Sequence, residues 1–154
     1  MLFRICQLVL ICIFILDAWA EYVQCETSSG SPPADDCWTA KEIISHPEKV
    51  NGGVPECFPT NSKGSGCKKV IWSGQCAIVI CRDDGGLDLK VHKIAVQTAA
   101  QILHDICKSG GKVGGFIQYD SMGAKNNGTK CSPKEGDSKD RSFNVEFVKI
   151  KQDD

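Results

Sequence analysis

The sequence predicts an α+β fold: a disulfide-stapled sandwich with two helices packed on one face of a mainly antiparallel sheet. Three observations carry this. Gln75 to Cys81 is an unbroken apolar strand pattern, closed by Asp83-Asp84-Gly85-Gly86. An amphipathic helical pattern follows, roughly from Leu89 to Cys107, and Gly110-Gly111 ends it before Val113 to Tyr119 becomes extended again. A cysteine stands at each end of the strand and another at the end of the helix.

The chain has 154 residues, ten cysteines and a formal net charge of -1. Residues 1–20 carry the marks of a secretory signal peptide: a basic start at Arg4, an apolar run from Leu8 to Ile15 and a small-x-small site at Ala18-Trp19-Ala20. The competing reading, a membrane anchor, needs a longer apolar run and stop-transfer charges after it. Cleavage would remove Cys6 and Cys12 and leave one cysteine-rich domain, residues 21–154. Its eight cysteines are Cys25, Cys37, Cys57, Cys67, Cys76, Cys81, Cys107 and Cys131. An even count in a secreted chain implies a disulfide framework. A zinc site would want closely paired ligands, whereas no C-x-x-C occurs and the three histidines are scattered. No metal or cofactor is expected. The near-zero charge lacks the basic stripe of a nucleic-acid binder, and Lys68-Lys69, with Lys63 nearby, reads as a solvated loop. The expected state is a monomer.

Taken in order, Glu21 to Cys25 reads as a short edge strand with Tyr22 and Gln24 on one side. Residues 26–36 hold Ser, Gly and Pro-Pro without periodicity, a mobile linker that buries little. Asp35 or Asp36 is a natural N-cap, with Cys37, Trp38, Ala40, Lys41 and Ile44 at helical spacing behind it; His46-Pro47 stops this first helix. Glu48 to Gly66 is loop by composition, tied down by Cys57 and Cys67. Lys68 to Trp72 is extended, and Ser73-Gly74 turns the chain into the main strand.

In the main strand Cys76, Ile78 and Ile80 share one face, and Ala77, Val79 and Cys81 the other. Both faces are apolar, so the strand is central, with the isoleucine face toward the helices. In the second helix Val91, Ile94, Ala95, Thr98, Ile102 and Ile106 form the expected apolar stripe, widened by Ala99 and Leu103. His92 and His104 do not converge and read as surface or rim residues. Residues 120–141 are a polar loop tethered by Cys131. Phe143, Val145 and Phe147 alternate with Asn144, Glu146 and Val148 in a final half-buried strand that runs to Ile150.

One pairing follows from these lengths. A seven-residue strand spans roughly 23 Å at ~3.3 Å per residue, and a nineteen-residue helix roughly 28 Å at ~1.5 Å. A helix folded back over its own strand brings Cys107 above Cys76. Cys76 with Cys37 is the competitor, because the first helix can cover the same face.

Catalytic signatures are weak. The serines lack a G-x-S-x-G elbow. Asp83, Asp84 and Asp88 suit a turn and a helix start and do not follow the D-x-D-x-D-G calcium pattern. Gly110 to Gly115 has phosphate-loop glycines but precedes a strand, whereas phosphate loops open a helix. A ribonuclease would use His104 with Glu146 or Arg141, and nothing in their spacing makes them meet. Trp38, Trp72 and Tyr119 are candidate binding aromatics, Trp38 reading first as a core or rim residue and second as a sugar-stacking one.

The frame Asp36-Cys37-Trp38-Thr39-Ala40, Gly74 to Ile80, Ile94 through Ala99-Ala100-Gln101-Ile102-Leu103 to Cys107, then Gly110-Gly111 and Gly114-Gly115, resembles the killer-toxin-like effectors, small secreted cysteine-rich fungal proteins. The fungal necrosis-inducing effector family is similar in its glycine-cysteine strand before a helix. The resemblance implies a sandwich of two helices on a sheet. It also implies a non-catalytic effector or virulence protein that binds a host or competitor protein or membrane component. Small hydrolase or ribonuclease, and carbohydrate-binding module, are the alternative readings.

Asn127-Gly128-Thr129 is an N-glycosylation sequon in the polar loop. Asn127 is expected to carry a glycan after passage through a eukaryotic secretory route, seen as a mass shift that peptide N-glycosidase removes.

Overall fold

The computed structural model describes residues 22–46, 48, 53–59, 66–82, 90–119, 131 and 143–151. Residues 1–20, Asn127 and most of the 120–141 loop lie outside the described residues, as do Asp83, Asp84, Asp88, Lys63 and Arg141. The elements in order are β1 (Tyr22–Cys25), α1 (Ala34–Ser45), β2 (Cys57–Pro59), β3 (Gly66–Ser73), β4 (Cys76–Arg82), β5 (Lys90–His92), α2 (Lys93–Cys107), β6 (Gly115–Tyr119) and β7 (Phe143–Lys149). Five strands form one antiparallel sheet in the order β1-β6-β7-β4-β3, and β2 pairs with β5 in a separate two-stranded ribbon. The fold is α+β, two helices on a mainly antiparallel sheet with four disulfides.

All seven residues of β4 are buried: it runs between β7 and β3, and Cys76 to Cys81 put apolar side chains on both faces before the buried Arg82 ends it. Cys76, Ile78 and Ile80 join the main core with α1 and α2, while Ala77, Val79 and Cys81 form a small second cluster with Val148 and Ile150. The isoleucine face is therefore the helix face. Strand β7 continues the row, with Phe147 opposite Ile78 and Val145 opposite Ile80. Its alternation of buried Phe143, Val145 and Phe147 with half-buried neighbours is the period-two pattern of a strand with one covered face.

The helices divide the sheet: α1 packs over β3 and β4, and α2 over β1, β6 and β7. This corrects the expected Cys76–Cys107 bridge. Cys76 pairs with Cys37 of α1, and Cys107 pairs with Cys25 on the edge strand. Strands β1 and β4 are three strand spacings apart, roughly 14 Å at ~4.8 Å each, so a helix end above β1 cannot reach β4. The helix is also shorter than expected, since Lys90–His92 pairs with Cys57–Pro59 before α2 begins. The remaining bridges are Cys57–Cys131 and Cys67–Cys81, the latter between directly opposed residues of β3 and β4.

The stripe expected on α2 is corrected in part: Ala99 and Leu103 are buried and Ala95 and Ile102 pack against the core, but its centre is shifted. Its buried residues are Val96, Ala99, Ala100, Leu103 and Cys107, spaced three and four apart. Ile94 and Ile106 are instead 55% and 63% exposed. The small alanines face α1 and the sheet because close approach needs short side chains, and Cys107 fixes the rotation through its bridge to Cys25.

Neither Asp35 nor Asp36 caps α1; its N-cap is Pro33. Asp36 instead accepts a hydrogen bond from the Gln75 backbone N–H, 2.9 Å away, in the β3–β4 turn. Gly74 occupies that turn at φ 51°, and a Cβ there would meet the Asp36 carboxylate at 2.6 Å. One helix start is thus held to one turn by a hydrogen bond and, one residue further along each, by Cys37–Cys76.

Residues 26–36 are not the loose linker expected. Glu26 N–H donates to Gly114 O, Val113 N–H to Pro32 O and Ala34 N–H to Gly111 O. Ser31 and Pro32 are buried. Gly115 makes the neighbouring contact possible: at φ 134°, an added Cβ would lie 2.1 Å from Gln24 O, so only a bare backbone admits β1.

The phase of α2 has a direct test. Leu103→Ala should cost about 3 kcal/mol by removing a fully buried side chain, whereas Ile106→Ala should change stability by less than about 0.5 kcal/mol. Urea unfolding with the disulfides intact checks both.

Candidate functional site

The three aromatics singled out by the sequence occupy three different environments. Tyr119 is buried in the core and stacks on Phe143 with ring centroids 5.0 Å apart, so it presents little surface to a ligand. Trp38 is 38% exposed in the helix layer. Its ring lies 4.9 Å from the His104 ring, and Lys41 Nζ sits 4.2 Å above it. Lys41 is itself buried and paired with Glu42 at 2.7 Å. Trp72 projects from β3 opposite Ala77, on the sheet face away from the helices, and is 53% exposed. Lys69 Nζ lies 4.9 Å from its ring. Trp38 and Trp72 are therefore separated by the sheet and form no shared platform.

The same division separates the residues a ribonuclease would use. His104 belongs to the helix layer, where its Nδ1 lies 3.6 Å from an Asp105 carboxylate oxygen. Glu146 stands opposite Val79 and Phe116 on the far face of the sheet. His92, expected at the surface, is buried and serves a structural purpose: its Nδ1 accepts the Ile94 N–H at 3.2 Å, capping α2, while Nε2 lies 3.6 Å from Glu56. A histidine immediately before a helix is a legible cap signal only when the helix start is placed correctly, and the helical periodicity runs back to Leu89.

The eight cysteines of residues 21–154 are all joined in disulfides, so none offers a thiolate. Cys67, Cys81 and Glu146 bring ligand atoms within 4.8 Å of one another. With the two sulfurs bonded together, that grouping lacks the thiolates a metal would take.

The far face of the sheet carries a feature the sequence did not reveal. A cleft of about 390 Å³ opens between the segment from Glu26 to Pro32 and strands β6 and β7, with Phe116, Glu146 and Lys149 along the sheet side. Beside it Tyr22 and Phe116 meet with ring centroids 6.1 Å apart. The Tyr22 hydroxyl donates to Gln24 Oε1 at 2.8 Å, and Gln24 Nε2 donates to Glu26 Oε1. Alternation along β1 puts Tyr22 and Gln24 on one side, which the sequence did predict; their convergence with Phe116 needed the β1–β6 register. The arrangement combines aromatic rings with polar side chains already held in place.

Comparison with protein-family models, curated proteins and solved structures finds no match to this chain. Among the described residues, no helix is long and apolar enough to cross a membrane.

Burial pushes the Tyr119 phenol up to about 12. The unfolded phenol ionises near 10, so its proton is held by the folded chain alone between those values. Stability is therefore undiminished below pH ~10 and falls as pH rises from ~10 toward ~12. In an alkaline absorbance titration, Tyr119→Phe should remove a step near pH 12.

Proposed function

We propose that this protein is a secreted, disulfide-stapled effector that acts by binding a host or competitor protein or membrane component, without catalysis. The observation that carries this reading is Trp72, a residue more than half exposed on an outer strand that Cys67–Cys81 staples to its neighbour. Tryptophan concentrates binding energy at interfaces because it brings large apolar area with few torsions to fix. Lys69 beside it adds a cation that can steer an acidic or polar partner. Four disulfides hold this surface in one shape, so little ordering cost remains when a partner docks. The signal-like residues 1–20 and the resemblance to killer-toxin-like effectors support action outside the producing cell.

The test is a dose-response on target cells with oxidised protein, paired with binding to their isolated surface fraction. Trp72→Ala should weaken binding about thirtyfold, the loss of a ~2 kcal/mol anchor, without lowering the melting temperature. Turnover of RNA or glycan panels by the wild-type protein, abolished by His104→Ala, would replace this reading with the hydrolase.

A further inference from the structure

We propose that the cleft between residues 26–32 and strands β6 and β7 is a binding site for a neutral oligosaccharide. This rests on the reading that the protein works by recognition, and it adds a ligand class and a second surface to it. A sugar ring has two kinds of surface: a face of C–H groups and a rim of hydroxyls. The first stacks on aromatic rings, and the second donates to carboxylates and accepts from hydroxyl, amide and ammonium groups. The cleft and its margin offer both. Phe116 lines it, with Tyr22 adjacent at a tilt of 55°. Glu26, Ser28 and Lys149 supply acceptors and donors around it. Its volume, about 390 Å³, falls within the range of roughly 300–1,000 Å³ of small-ligand pockets.

The polar groups are organised before any ligand arrives. Tyr22, Gln24 and Glu26 form a hydrogen-bonded row along the β1 side. Ser31 Oγ accepts the Ser28 N–H at 2.9 Å and donates to Glu26 O at 3.3 Å, fixing the loop that makes the opposite wall. Gly114 allows that wall its closeness, since a Cβ there would meet Ser31 Oγ at 2.6 Å. A site whose side chains are already immobilised loses less entropy on binding.

The charge pattern selects among ligands. Two glutamates against one lysine line the cleft, a net negative balance that disfavours phosphorylated or acidic ligands. A bare metal ion wants a denser donor set, and among the described residues Glu26 belongs to no cluster of three His, Cys, Asp or Glu ligands. Hydroxyl groups, being donors without charge, suit carboxylate acceptors.

The experiment is a ¹H–¹⁵N NMR titration of the oxidised protein with chitohexaose, laminarihexaose and xylohexaose as probes, and polygalacturonate as the acidic control. At least one neutral probe should shift the amides of Ser28, Ser31, Gly114, Gly115 and Phe116. Glu26→Gln and Tyr22→Ala, both at exposed positions, should each weaken that binding at least about tenfold while leaving the remaining spectrum folded. Phe116→Ala should do the same if its spectrum stays dispersed, and the two exposed variants decide the matter if it does not. Silence of these amides toward every neutral probe at millimolar concentration overturns the proposal. So do shifts centred on Trp72, or tighter binding of polygalacturonate. A protein that ignores all the sugars yet keeps its Trp72-dependent binding to target cells loses this inference alone. One that binds a sugar but no target surface loses the effector reading instead.

Discussion

Strand β4 carries six consecutive buried apolar residues, Cys76 to Cys81, and a strand apolar on both faces obliges the rest of the chain to cover it twice. Hydrogen bonds to β3 and β7 satisfy its backbone on either side, as a buried strand requires. Two helices close the isoleucine face, and Val148 and Ile150 pack beside the smaller Ala77, Val79 and Cys81. Everything else is arranged around that demand. The helices must share one face, so each takes half of the sheet, and this division decides which cysteines can meet.

The four bridges follow the division. Cys37–Cys76 fastens α1 to the start of β4, and Cys25–Cys107 fastens the end of α2 to the opposite edge of the sheet. Cys67–Cys81 joins two strands already hydrogen-bonded, while Cys57–Cys131 ties the β2–β5 ribbon to a residue distant in sequence. In the chain-entropy account such closures stabilise by restricting the unfolded ensemble, each by roughly 3–5 kcal/mol. That contribution matters for a domain of this size, whose core is modest.

Much of this was legible because burial leaves a periodic signature. The central position of β4, its helix-facing side, the alternation of β7 and the stop of α1 before Pro47 could all be read from residue pattern. The rotation of α2 could not. Isoleucine bulk centred the stripe on one line, whereas close packing centred it on Val96, Ala99, Ala100 and Leu103 and left Ile94 and Ile106 outside. The Cys76 partner depended on the same lateral information, namely which helix lies over which strands, and periodicity within one element carries none. The β2–β5 ribbon is three residues a side, too short to announce itself. The cleft was equally invisible, because Tyr22, Glu26, Phe116 and Glu146 come together only through strand register. Trp72 was legible as an aromatic, but its exposure was not.

The span of 82 residues between Cys25 and Cys107 imposes an order on biosynthesis. A ribosome releases Cys25 long before its partner exists, and the first thiol to follow it is Cys37. The hairpin bridge Cys67–Cys81, only 14 residues apart, can close as soon as the turn between its strands forms. The edge strand has no register partner until β6 emerges behind α2. A nascent chain therefore assembles its middle first and sews in its beginning late, with Cys25 exposed to exchange in the interval. Were Cys25 to pair first with Cys37, thiol exchange would have to undo that link before β1 could join the sheet.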